Sequence, residues 1–191
     1  MNFKIIYEDD DVFVVDKPAG IIVFDEGKNN DSESRRTVVD LLIEKYPKLV
    51  DVGRPHRYGV VHRLDKDTSG ILLVAKNNES LIFLQNQFKT RTVEKKYVAL
   101  ATGSVKDDKG VIETLVGRSP SDKRKQRAYL PQDPKSQNKR MAVTEYNVLK
   151  RFTKLSPAEG GSAEPNLTGV QNYTLLEANI KTGRKHQIRC H

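Results

Sequence analysis

Gly59-Val-Val-His-Arg-Leu-Asp-Lys-Asp-Thr-Ser-Gly-Ile-Leu-Leu-Val-Ala-Lys76 is the stretch around which the rest of the sequence falls into place. Two apolar runs, Val60-Val61 and Ile71 to Ala75, predict buried strands. Between them, His62, Arg63, Asp65, Lys66 and Asp67 crowd ionisable groups into one short segment, and Thr68-Ser-Gly70 closes it as a turn. The reading is a polar loop fixed at the end of a sheet, a good place to hold a catalytic group rigidly. Asp65, at its middle, is the first candidate.

Working outward toward the N-terminus, residues 3–7 and 12–15 predict a hairpin of short strands around an acidic turn. Asp16-Lys-Pro-Ala-Gly20 is a turn, and Ile21 to Phe24 predicts another strand. Asp25 to Arg36 reads as an exposed loop. Thr37 caps a helix through Val38, Leu41, Leu42 and Tyr46 that Pro47 ends, and Lys48 to Tyr58 forms a second loop. Toward the C-terminus, Asn77 or Asn78 caps a helix with Leu81, Leu84 and Phe88 on one face. Strands are predicted over Arg91 to Ala101, Val111 to Val116, Ala142 to Phe152 and Tyr173 to Ile180. Lys154 to Asn172 is rich in Gly, Pro, Ser and Asn and reads as a flexible connection. Thr182 is the expected cap of a short helix carrying Arg184, His186 and Arg189. Many strands joined by short turns favour antiparallel pairing, so the fold class is α+β, a mixed and mostly antiparallel sheet with packed helices. Neither a Gly-rich phosphate loop nor a dinucleotide fingerprint is present.

The length of 191 residues suits one domain, 1–191. A net charge of +8 and a pI near 9.5 point to a polyanionic partner. The charge is concentrated in Arg118 to Arg140, where Arg118, Lys123, Arg124, Lys125, Arg127, Lys135, Lys139 and Arg140 face only Asp122 and Asp133. Pro120, Pro131 and Pro134 break regular structure there, so this is a mobile arm or long hairpin loop suited to phosphate contacts. Cys190 is the only cysteine, which excludes a disulfide framework and a Cys-based zinc site and fits the cytoplasm. The acidic N-terminus does not resemble a signal peptide. No run approaches the roughly 18 apolar residues of a membrane span.

Taken alone, a charge cluster like that around Asp65 is usually a structural ion-pair network at the surface. The flanking apolar runs and the tight turn favour a nucleophile or base instead. Tyr97 begins its strand after Glu94, Lys95 and Lys96; a half-buried strand tyrosine is the plain reading, a stacking or acid–base group the functional one. Arg184 and Arg189 point to different sides of a helix, so one can pair with a carboxylate while the other reaches phosphate. His186, His191 and Cys190 lack the spacing and the carboxylate of a metal site, so no metal is expected.

His62-Arg-Leu-Asp-Lys-Asp-Thr-Ser-Gly70 closely resembles the central motif of the RluA-type pseudouridine synthases. Tyr7-Glu-Asp-Asp and Val15-Asp-Lys-Pro-Ala-Gly20 resemble the opening segment of that family, and Lys95-Lys-Tyr-Val-Ala-Leu100 its tyrosine motif. Ala142-Val-Thr-Glu-Tyr-Asn-Val-Leu149 and Thr182-Gly-Arg-Lys-His-Gln-Ile-Arg-Cys-His191 resemble two later motifs, in the expected order. The resemblance implies the pseudouridine synthase fold with a central catalytic cleft. It implies isomerisation of uridine to pseudouridine in ribosomal or transfer RNA by a monomer without cofactor. Asp65 is then the catalytic aspartate, with attack on the sugar, attack on the base and a glycal route all open. Tyr97 stacks on the target base, and Arg63, beside His62, fills the gap left by the flipped uridine. Arg189, with Arg184 second, pairs with the aspartate, while Lys123, Arg124, Lys125 and Arg127 grip RNA. The resemblance further implies a catalytic domain incomplete at its C-terminus and no RNA-binding domain ahead of it. Two other readings remain: a catalytically inactive RNA-binding protein on the same fold, and an aspartate-dependent metal nuclease, for which clustered carboxylates are missing.

Overall fold

In the computed structural model, β1 (Lys4–Glu8) and β2 (Val12–Lys17) form the expected antiparallel hairpin. Residues 3–25, 36–157 and 167–191 are the described part of the chain. Asp9 makes the hairpin turn: its carboxylate accepts from the backbone N–H of Asp11 at 2.9 Å and of Val12 at 2.7 Å. β3 (Gly70–Ala75) pairs with β2, giving a three-stranded sheet in the order β1-β2-β3. Phe13 and Val15 of β2 pair with Val74 and Leu72 of β3, and all four are buried. In the run from Ile71 to Ala75, Leu72 and Val74 therefore share the core face while Ile71, on the other face, is exposed; Ala75, on that same other face, is buried at the strand's end.

Thr37 caps α1 (Val38–Lys45) in a full capping box with Asp40, and the helix ends at Tyr46, before Pro47. A 3₁₀ turn follows over Pro47–Asp51. Asn77, rather than Asn78, caps α2 (Asn78–Thr90) by accepting from Ser80 N–H at 2.8 Å. Two expected strands are absent. Ile21 to Phe24 is not a strand; the carbonyls of Ile22 and Val23 instead accept from Val38 and Val39 N–H, donors that a helix N-terminus leaves unpaired. Val60-Val61 shrinks to a single bridge from Val60 to Val74. Gly59 has φ +79°, and a Cβ there would lie 2.3 Å from Ala75 O, so only glycine lets the chain come this close to β3.

The chain divides into two compact units, Met1–Val93 and Glu94–His191. The second is built on β4 (Lys96–Thr102), β5 (Lys109–Arg118), β6 (Gln126–Tyr129), β7 (Arg140–Pro157) and β8 (Leu167–Ile180). They form one sheet in the order β4-β8-β7-β5-β6, every pair antiparallel. The fold is α+β with antiparallel strands and three α-helices among the described residues. The expected flexible connection over Lys154 to Asn172 is largely paired strand: β7 and β8 continue their ladder through Leu155 and Val170 to Pro157 and Leu167. Of that connection, 158–166 lie outside the described residues, as do 26–35 of the expected Asp25–Arg36 loop. α3 (Gln187–Cys190) is shorter than expected, and His186, not Thr182, stands at its N-cap. Arg184 therefore sits in the preceding turn and Arg189 alone of the two on the helix.

Candidate active site

The segment entering the Asp65 loop first runs beside β3. Ala75 N–H donates to Gly59 O at 2.9 Å, and a continued ladder would next use Val61 O for Leu73. Leu73 N–H instead donates to His62 Nε2 at 3.1 Å. The imidazole thus closes the sheet edge and frees the backbone to leave it. His62 also stacks on Phe88 of α2, with ring centroids 5.0 Å apart and planes within 18°. Leu64 is buried and Asp65 half-buried, and Asp65 O accepts from Thr68 N–H at 3.1 Å to form a tight turn. Gly70, at φ +124°, leads the chain into β3.

Lys17 holds this loop from below. It continues the alternation of Phe13 and Val15 on the core face of β2 and is fully buried. Its ammonium donates to Pro18 O at 2.8 Å, Lys66 O at 3.0 Å and Thr68 O at 2.8 Å, using all three donors. Gly20 N–H adds a bond to Lys66 O at 2.9 Å. Two carbonyls of the turn that carries Asp65 are thereby tied to β2 and to the Pro18–Gly20 turn. Burial pushes the Lys17 ammonium below its usual value, against the attraction of Asp67 and Asp65, which favours the charged form. Arg63 is exposed, its guanidinium 5.3 Å from the ring centroid of Phe24.

In the second unit, Tyr97 is half-buried on β4 and pairs with Ala178 of β8, which pairs in turn with Tyr146 of β7. The small residue between two tyrosines leaves their rings room on one face of the sheet. The turn from Lys181 to His186 is organised by Gln187. Its amide donates to Val143 O at 3.0 Å and Thr144 Oγ1 at 2.9 Å, and accepts from Thr182 Oγ1 at 2.7 Å and Arg184 N–H at 3.0 Å. Thr182 Oγ1 also accepts from Val143 N–H at 3.0 Å, which is why it is not a helix cap. Arg184 Nε donates to Met141 O at 2.8 Å, whereas Arg189 is exposed on α3.

The basic segment from Arg118 to Arg140 is a shaped hairpin, because β6 pairs with β5 from Tyr129 to Gln126. Tyr129 is buried and its hydroxyl donates to Arg118 O at 2.8 Å. The Arg127 guanidinium and the Lys139 ammonium each lie 5.3 Å from its ring centroid. Arg124 donates to both carboxylate oxygens of Asp122 at 3.1 Å, which holds the Asp122 carboxyl below its usual range. Lys123, Arg124, Lys125 and Arg127 are all exposed.

Of the residues expected at the site, Asp65, Arg63 and His62 share one loop of the first unit. Tyr97, Arg184, Arg189 and the four basic hairpin residues belong to the second. Lys17 and Gln187 were not expected as site residues. Lys17 had a signal, since the period-two run Phe13-Val-Val-Asp-Lys17 puts a lysine on a core face that must then supply acceptors.

The family described as RNA pseudouridylate synthase matches residues 11–191. The chain belongs to this family. An RNA pseudouridine synthase of Aquifex aeolicus is 38% identical over 188 residues, covering 98% of this chain and 51% of that protein. Ribosomal large subunit pseudouridine synthase D of Nitrosomonas europaea is 37% identical, covering 98% and 45%. The chain therefore spans about half the length of the curated relatives it matches. Human RNA pseudouridylate synthase domain containing 4 superposes with a TM-score of 0.65 at 27% identity, covering 98% of this chain and 62% of that one. The pseudouridine synthase fold expected from the motifs is thus the observed one. No helix among the described residues is long and apolar enough to cross a membrane.

Proposed function

We propose that this pseudouridine synthase family member converts uridine to pseudouridine in RNA, with Asp65 as its catalytic carboxylate. The observation that carries the reading is the buried Lys17 ammonium, which fixes the turn around Asp65 through Lys66 O and Thr68 O. A half-buried carboxylate held this rigidly suits a reacting group better than a surface ion pair. Isomerisation breaks the N1–C1′ bond, turns the base, forms C5–C1′, releases the C5 proton and leaves N1 to take up a proton in its place. Arg63 occupies the stack vacated by the flipped nucleotide, which offsets part of the few kcal/mol that flipping costs. Tyr97 faces the base, and Arg189, with Arg184 second, is the cation assigned to the aspartate. His62, Lys123, Arg124, Lys125 and Arg127 complete the RNA contacts of a monomeric domain.

Ribosomal RNA is the favoured substrate, because the Nitrosomonas relative is named for the large ribosomal subunit. Incubation with C5-tritiated large-subunit ribosomal RNA should release tritium to water, and Asp65→Asn should reduce release at least 10³-fold, roughly the scale of losing a nucleophile. Binding of RNA without release by the unaltered protein would instead identify an RNA-binding module. Release from transfer RNA alone would move the substrate assignment.

A further inference from the structure

Between Arg54 and Lys66 the chain carries Arg54, Arg57, Arg63 and Lys66, with Asp65 the only carboxylate. Two of these side chains share one aromatic mount. The Arg57 guanidinium lies 4.6 Å and the Arg63 guanidinium 5.3 Å from the ring centroid of Phe24, which is itself buried. A cation over a ring is attracted by the face of the ring. A guanidinium has five in-plane N–H donors, more than any one carboxylate takes, so one already engaged by a neighbour can still present part of its fork to a phosphate.

Arg57 reaches the ring from a tightly wound segment. His56 at φ 68° and Tyr58 at φ 29° bracket it, both in a region that residues with a Cβ rarely adopt. Arg54 O accepts from both Arg57 N–H at 3.2 Å and Tyr58 N–H at 3.3 Å, and Val52 O accepts from Gly59 N–H at 2.9 Å. α2 clamps the start of the coil: Gly53 N–H donates to Asn78 Oδ1 at 2.7 Å, and Asn78 Nδ2 to Asp51 O at 3.0 Å. Backbone of this kind persists where its surroundings over-determine it, and it gathers at ligand clamps. Here the coil delivers one guanidinium to the ring that already carries Arg63, next to the loop of Asp65.

We propose that Arg57 is a further RNA-gripping residue: from the Phe24 ring that it shares with Arg63, it holds the phosphodiester backbone beside the flipped uridine, while Arg63 takes the vacated place in the stack. The proposal rests on the reading of RNA as substrate. It adds a residue that none of the family motifs quoted above contains. Phe24 is the positioning residue for both arginines.

The test is equilibrium binding of a fluorescent stem-loop transcribed from large-subunit ribosomal RNA, at salt from about 50 to about 200 mM. Arg57→Ala should weaken binding about tenfold and lower the salt slope by about one. Arg57→Lys should keep the slope, since the charge remains, and recover part of the affinity. Phe24→Leu should weaken binding with the slope unchanged. An Arg57→Ala protein that is folded and keeps the unaltered slope overturns the proposal. Should that variant not fold, Arg57→Gln, which keeps the stem, is judged by the same slope. Tritium release by the unaltered protein separates this proposal from the wider reading. Arg57-dependent binding without release overturns only the isomerase reading, and release with an Arg57-independent slope overturns only this proposal.

Discussion

Lys17 and Gln187 are both buried polar side chains, and each ties a polar turn to a strand, one with a charge and one without. The turn at Asp65 offers Lys17 only carbonyl oxygens, so a donor-only ammonium satisfies it completely. The turn at Arg184 presents donors and acceptors together: Val143 O and Thr144 Oγ1 on one side, Thr182 Oγ1 and Arg184 N–H on the other. Only an amide meets both needs. The difference extends to electrostatics. Lys17 brings a positive charge under the carboxylates of Asp65 and Asp67, while Gln187 adds none beneath a segment already holding Arg184, Lys185 and Arg189. Each anchor is matched to the groups it holds and to the charge its loop already carries.

The largest effect should come from removing the charged anchor. Lys17→Met leaves the part-buried carbonyls of Pro18 and Thr68 without this donor, and stability should fall by about 2–4 kcal/mol in urea unfolding. Part of the loss is offset because a buried charge is no longer desolvated. Tritium release should fall further than the folded fraction does, since the Asp65 turn loosens even in folded molecules. Stability within about 1 kcal/mol of the unaltered protein, with release undiminished, would show that the loop holds itself.

Gln187 should come next. Gln187→Ala is expected to cost about 2 kcal/mol, less than Lys17→Met because no charge is involved and Val143 O keeps its bond from Lys181 N–H. Gln187→Glu sharpens the contrast. It keeps the shape but, ionised, sets a carboxylate oxygen against Val143 O, so it should be no more stable than the alanine variant at neutral pH. A fully stable Gln187→Glu would mean that packing, not the donor–acceptor match, holds this turn.

The two anchors also mark how far the sequence could be read. The hairpin around Asp9, the Thr37 cap and the Asn77 helix follow local rules, because the residues that make each element lie within a few positions of one another. The loop from His62 to Gly70 was legible as a loop, and its residue types as a motif. Its first flanking strand was not, because Val60 can pair only once before the His62 ring replaces Val61 O at Leu73. Ile21 to Phe24 has strand composition but serves a helix end, a partnership that depends on tertiary placement. The capping role expected of Thr182 failed for a similar reason: Val143, far away in sequence, competes for the hydroxyl. Long-range hydrogen bonds of single side chains leave no periodic trace.

The smallest expected effect separates the two regions by pH. His191 Nε2 lies 2.9 Å from Thr114 Oγ1, and its Nδ1 is buried without a hydrogen-bond partner. Burial lowers the pKa of His191 from its usual 6.5, so the unfolded chain takes up a proton first as pH falls. Above that usual value both states are neutral and the group contributes nothing. Below it stability declines, and the decline levels off once the folded form also protonates. Thermal unfolding at about pH 7.5 and about pH 5.5 should therefore show a larger loss for the unaltered protein than for His191→Gln, which cannot titrate in that range. Hydrogen exchange locates the effect. The amides of Cys190 and His191, bonded to His186 O and Gln187 O, should lose protection on acidification, while those of Gly20 and Thr68 at the Lys17 anchor should keep theirs. Equal loosening at both places would tie the pH response to a group shared by the whole chain rather than to His191.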